Sequence, residues 1–288
     1  MASYDTDWLE LMYNNRARVP GYAMHFKRWA DASAAARDQF APQLHVAYGQ
    51  ARYDSLDIFN ACGEAPAEGA PVLVFIHGGW WRSLDKSDHS FVAPSFSAEG
   101  ACVVLPNYTL APAATIPQIT MQMVKALAWT WRNIAQYGGD PARITVAGHS
   151  AGGHLAAMML ACDWKAYDSQ LPADLVKNAL SISGLFELES IMHTPSLQAT
   201  LALTYADALR ASPAYLPAPK RGTLYTVVGD DESDEFLRHN VLIRQAWGKK
   251  AVPVCEAEEG CNHFSIVEAL AEPGNHLHTL ANELLSST

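Results

Sequence analysis

Short apolar runs alternate along the chain with longer stretches in which apolar residues recur every three or four positions. The short runs cover 44–48, 55–60, 72–76, 102–106, 144–147, 179–183, 223–228 and 253–256, and such runs read as β-strands. From Val72 onward they are mostly continuously apolar, which predicts parallel strands buried on both faces. The first two alternate more, which predicts an exposed antiparallel edge. In 119–137, Ile119, Met123, Leu127, Trp131 and Ile134 fall near one helix face, and Gly138 and Gly139 end the helix. The stretch 151–161 is apolar nearly all round and predicts a buried helix. Further helices are predicted at 234–247, 265–270 and 277–285. This alternation predicts an α/β fold: a mostly parallel eight-stranded sheet flanked by helices.

Two segments break the rhythm. Residues 1–43 are helical in pattern and carry Trp8, Tyr13, Phe26 and Trp29. Residues 187–219 read as a helical insertion bounded by prolines. Each is a candidate lid, since long insertions at the loop ends of a sheet often cover a site, and ordinary peripheral packing is the alternative. With no repeat and no long linker, 1–288 reads as one domain.

Composition narrows the partners. A chain of 288 residues with 49% hydrophobic and 17% charged residues builds a packed core. Its formal net charge of −10 and scattered basic residues argue against a nucleic-acid partner. No uncharged apolar stretch approaches the roughly 20 residues of a membrane helix, and the first residues lack the positive start and apolar run of a signal peptide. Five cysteines without Cys-x-x-Cys spacing indicate neither a disulfide framework nor a zinc site. The expectation is a cytoplasmic protein with no cofactor or metal, acting on a small molecule. A homo-oligomer is compatible with this reading.

The chemistry begins at Gly148-His149-Ser150-Ala151-Gly152, directly after the run 144–147 and before a helical stretch. Strand, sharp turn and helix are the context in which Gly-x-Ser-x-Gly presents a nucleophile in the α/β-hydrolase fold. Glycines at 148 and 152 let strand and helix approach closely while Ser150 takes the strained apex. The Ala151 N–H then lies at a helix start, where an oxyanion is favoured. Upstream, 72–76 runs into His77-Gly78-Gly79-Trp80-Trp81, matching the His-Gly-Gly loop that supplies further oxyanion donors.

A serine nucleophile needs a histidine base, and the histidine needs a carboxylate. In this fold the chain order is Ser, acid, His. Of eleven histidines, His263 alone sits in a loop directly after the last predicted strand. The acid is open at this point: Asp230, Asp231, Glu232 and Asp234 all follow the strand ending at Gly229, with Asp234 also suited to cap the next helix.

These residues resemble the arylformamidase (kynurenine formamidase) branch of the α/β hydrolases, close to the hormone-sensitive-lipase-like esterases. The resemblance rests on the Tyr13-Asn-Asn-Arg opening, the His77 to Trp81 loop, Leu84-Asp85-Lys86-Ser87, Asn107-Tyr108, the Ser150 turn, Ser183-Gly184-Leu185-Phe186 and Asn262-His263-Phe264-Ser265. It implies Gly79, Trp80 and Ala151 as oxyanion donors. It also implies the acid at Gly-x-x-Asp or Glu, which lands on Glu232 with Asp231 as the alternative. The implied activity is hydrolysis of a small aryl formamide such as N-formylkynurenine through an acyl-enzyme. Aromatic residues at 80 and near the N-terminus suit an aromatic or apolar acyl amide or ester. A carboxylesterase is the alternative, and a non-catalytic binding protein on the same fold is a third reading.

Overall fold

The computed structural model describes residues 4–63 and 68–287. Residues 1–3 of the N-terminal segment lie outside the described residues. Eight strands form one sheet: β1 (Gln43–Ala47), β2 (Ser55–Phe59), β3 (Ala70–Ile76), β4 (Cys102–Pro106), β5 (Gly139–His149), β6 (Asn178–Ile182), β7 (Thr223–Gly229) and β8 (Cys255–Glu258). Their order is β1-β2-β4-β3-β5-β6-β7-β8. β2 pairs antiparallel with β1 and β4, and the remaining pairs are parallel.

The continuous apolar run of β3 is explained by its central place. Val72, Val74 and Ile76 face one core, with helices Ile116–Asn133 and Ala151–Leu160. Leu73 and Phe75 face the other, with Trp29 of helix Tyr22–Phe40 and Leu277, Ala281 and Leu284 of helix His276–Ser286. Two-residue alternation of side chains puts each set on its own face.

Four expectations need correction. Of the first two strands only β1 is an exposed edge. In β2, Leu56, Ile58 and Phe59 are fully buried, and Asp57 is buried in an ion pair with Lys86 at 2.8 Å. Polar Asp57 supplied the alternation, yet it points at a buried cation and not at solvent. β8 is the opposite edge and only partly buried, so its run is not doubly covered. The helix expected at 119–137 starts earlier, at Ile116, where Thr115 and Gln118 form a capping box. It ends at Asn133, and a 3₁₀ turn carries the chain to Gly138 in the left-handed region. Finally, Ser233 takes the N-cap position before helix Asp234–Ala251, so Asp234 is the first helical residue and not the cap.

The segment 187–219 contains three short α-helices, Glu189–Met192, Pro195–Leu201 and Tyr205–Arg210, and a 3₁₀ turn at Pro213–Tyr215. Among the described residues no helix is long and apolar enough to cross a membrane.

The core also holds neutral imidazoles. Burial lowers the His154 pKa from 6.5 to about 4. Burial, aided by His77, lowers that of His89 to about 3. Burial likewise lowers His77, His149 and His239. In the unfolded chain these rings protonate near the ordinary value, ~6.5. Below that pH the unfolded state takes up protons that the folded state refuses, so folding stability drops as pH falls from about 6.5 toward 4. Denaturant midpoints measured across that window are expected to decline with acidification, and a flat profile would contradict neutral burial of these rings.

Candidate active site

β5 ends in a turn that only glycine can serve. A Cβ on Gly148 would collide with the Gly152 carbonyl oxygen, and one on Gly152 with the Ile76 carbonyl oxygen. Strand and helix therefore pass at backbone contact, and Ser150 between them takes φ 58°, ψ −117°. This unfavourable backbone is held by the Ser150 N–H bond to Ile182 O at 2.8 Å and by the His154 N–H bond to Ser150 O at 3.0 Å.

His263 Nε2 lies 3.1 Å from Ser150 Oγ, and His263 Nδ1 lies 2.5 Å from Glu232 Oε2. All three side chains are buried. The other Glu232 oxygen, Oε1, accepts from the Gly229 N–H at 2.9 Å and from the Ser183 hydroxyl. Two donors at Oε1 leave Oε2 to receive the Nδ1–H. That fixes the tautomer in which Nε2 accepts the Ser150 proton. Asp231 is exposed, and its backbone N–H bonds to Cys261 O at 3.1 Å. Asp230 and Asp234 are exposed too. The structure thus brings Glu232, and none of its neighbours, to His263.

The loop after β3 carries Gly78 and Gly79. A Cβ on Gly78 would meet the His149 carbonyl oxygen, and Gly79 holds φ +102°. Among the described residues the N–H groups of Gly79, Trp80 and Ala151 have no hydrogen-bond acceptor. Three such donors beside a serine suit a developing oxyanion. The loop is braced from behind. His77 Nε2 lies 3.1 Å from Asn107 Oδ1, and the Tyr108 hydroxyl donates to His77 O at 3.0 Å. Asn107 also donates to Asp85 at 2.6 Å, and Asp85 caps the 3₁₀ helix Lys86–Val92. The Asn107-Tyr108 and Leu84 to Ser87 motifs are therefore supports of the loop.

Above these groups lies a cavity of about 440 Å³. Ser150, His263, Gly79 and Trp80 line it, with Tyr13, Arg16, Phe26 and Trp29 from the N-terminal segment and Ser196, Leu197 and Thr200 from the insertion. Both segments outside the strand–helix rhythm thus form its walls.

Three features escape the sequence reading. The His149 Nε2–H donates to His263 O at 2.8 Å and steadies the histidine loop; the sequence reading assigns His149 only a place on the turn. Ser183, at φ 51°, anchors Glu232; its place in the Ser183 to Phe186 motif was the available signal. The Tyr13 hydroxyl donates to Glu235 Oε2 at 2.6 Å and accepts from His239 Nε2 at 2.9 Å. The His239 tautomer follows from its other nitrogen, which accepts the Phe186 N–H at 3.1 Å. Tyr13 also packs edge-on against Trp80, so this buried network seats the N-terminal segment over the loop.

Comparison with known proteins agrees with this architecture. A family model of the α/β-hydrolase fold matches residues 73–263. The chain belongs to the α/β-hydrolase fold family and is a hydrolase. Within that class it is similar to a kynurenine formamidase of Danio rerio, 28% identical over 96% of this chain and 95% of the relative. It is also similar to the esterase LipQ of Mycobacterium tuberculosis, 40% identical over 39% of this chain and 27% of the relative. A solved structure from Silicibacter sp. TM1040, provisionally named a thioesterase, superposes with a TM-score of 0.82 at 28% identity. It covers 95% of this chain and 98% of that one.

Proposed function

We propose that the protein hydrolyses a small aryl formamide, of the N-formylkynurenine kind, with Ser150 as nucleophile. The observation that carries this is the hydrogen-bonded chain Ser150–His263–Glu232 beside the unpaired N–H groups of Gly79, Trp80 and Ala151. His263 Nε2 takes the Ser150 proton as Oγ bonds to the formyl carbon. The oxyanion is held by the three N–H groups. His263 returns the proton to the leaving nitrogen as the C–N bond breaks, releasing the arylamine and leaving formyl-Ser150. Water then gives a proton to His263 and attacks the formyl carbon. Formate leaves and Ser150 recovers its proton. Glu232 keeps the His263 ring oriented throughout.

The formamide is favoured over other carbonyl substrates by similarity to a kynurenine formamidase along nearly the whole chain, including the Tyr13 segment that walls the cavity. A carboxylesterase acting on short-chain or aryl esters is the second reading, supported by the higher but shorter similarity to LipQ. Five cysteines without paired spacing support a reducing, cytoplasmic setting.

Turnover of N-formylkynurenine compared with p-nitrophenyl acetate separates the two readings. The formamide is expected to show the higher kcat/KM. Hydrolysis of the ester alone would establish the esterase.

A further inference from the structure

The cavity above Ser150 contains an unusual charge for so acidic a chain. Arg16 and Arg82 both line it, in a protein of net charge −10. Neither forms an ion pair among the described residues. Arg82 directly follows the His77 to Trp81 loop, and its N–H bonds to Gly79 O at 3.1 Å. Its Nη1 is held by Ser196 O at 2.6 Å, from the insertion. Its Nε and Nη2 donate to nothing among the described residues. The Arg16 guanidinium lies 5.5 Å from the Tyr22 ring and 5.3 Å from the Phe26 ring, and makes no hydrogen bond among the described residues.

Burial and then Arg16 lower the Arg82 pKa from its ordinary value, with Glu10 as the opposing influence. Glu10 is itself engaged, accepting from the Ser196 N–H at 2.9 Å and from Asn14 Nδ2 at 3.1 Å. Two like charges that line one cavity, one held by a backbone carbonyl and one by aromatic faces, favour a bound anion there. A guanidinium with free N–H groups matches a carboxylate geometrically.

We propose that Arg82, assisted by Arg16 at the exposed side of the cavity, is the specificity-determining group of this site and holds a substrate carboxylate remote from the scissile bond. This rests on the hydrolase reading for the position of the reacting carbonyl. The arginines select the substrate and orient it, while bond cleavage belongs to Ser150 and His263.

The test uses binding, which does not depend on turnover. Isothermal titration of the Ser150→Ala protein with 4-(2-formamidophenyl)-4-oxobutanoate, an aryl formamide without an amino group, and with its neutral primary amide compares two ligands that differ at the carboxylate. The carboxylate is expected to bind at least about tenfold more tightly, the worth of one hydrogen bond to a charged group. That preference is expected to shrink as salt is raised. Adding Arg82→Gln is expected to bring the two affinities within about twofold, and Arg82→Lys to restore part of the gap. Arg16→Gln is expected to halve the preference or more, and supplies a second variant should Arg82→Gln fold poorly. Equal affinities in the Ser150→Ala parent, no binding of the carboxylate ligand, or a preference surviving both glutamine variants would overturn the subsite. Failure of the formamidase reading shows elsewhere, as wild-type protein that hydrolyses p-nitrophenyl acetate but not N-formylkynurenine.

Discussion

Glu232→Gln is expected to lower kcat by about 10⁴, as loss of the triad carboxylate does where it sets the histidine tautomer. The reason lies in the three donors around the carboxylate. Gly229 N–H points at Oε1 and cannot turn away, so a glutamine places its carbonyl oxygen there. The amide NH₂ is then directed at His263 Nδ1, where Oε2 now stands. Nδ1 becomes an acceptor, the ring proton moves to Nε2, and Nε2 no longer accepts from Ser150. Packing is little disturbed, because glutamine has nearly the same volume. Asp231→Asn alters an exposed side chain away from His263 and is expected to change kcat less than about twofold. Steady-state kinetics on both variants, with thermal midpoints as controls, check the pair. The opposite ranking would place the acid at Asp231.

Ser150→Ala is expected to be the more damaging change, with a loss in kcat of about 10⁶, the scale for removing an activated serine. Among the described residues the Ser150 hydroxyl bonds only to His263. Alanine therefore leaves no buried carbonyl or carboxylate unpaired, and the positive φ at 150 strains both residues alike. The thermal midpoint is expected to stay within a few degrees while activity vanishes. Retention of a tenth or more of wild-type activity would remove Ser150 from the reaction.

Much of this was legible in the sequence because it depends on local chemistry. The Ser150 turn needs glycines at 148 and 152 within one strand-to-helix reversal, and both collisions in the structure involve that reversal or the adjacent β3. The positions of Glu232 and His263 followed from chain order and resemblance, and the structure brings them together. What was not legible depends on pairs far apart in the chain. Asp57 reads as a solvent-facing strand residue until Lys86 is seen against it. Tyr13 reads as one aromatic among several, since its partners Ser190, Glu235 and His239 lie 177, 222 and 226 residues away. Ser183 and His149 reach Glu232 and His263 through single hydrogen bonds that no periodicity encodes. The start of the helix at Ile116 was missed for a different reason: the Thr115–Gln118 capping box was present but outside the apolar period used to find the helix.

In this mechanism Ser150 is a nucleophile activated by His263. A fluorophosphonate phosphonylates a serine whose hydroxyl a neighbouring base has made nucleophilic, and intact-mass measurement reads the adduct. The wild-type protein is expected to gain one phosphonyl adduct, mapping to Ser150, and Ser150→Ala none. A wild-type protein that gains no adduct, or an adduct that persists in Ser150→Ala, would contradict the account.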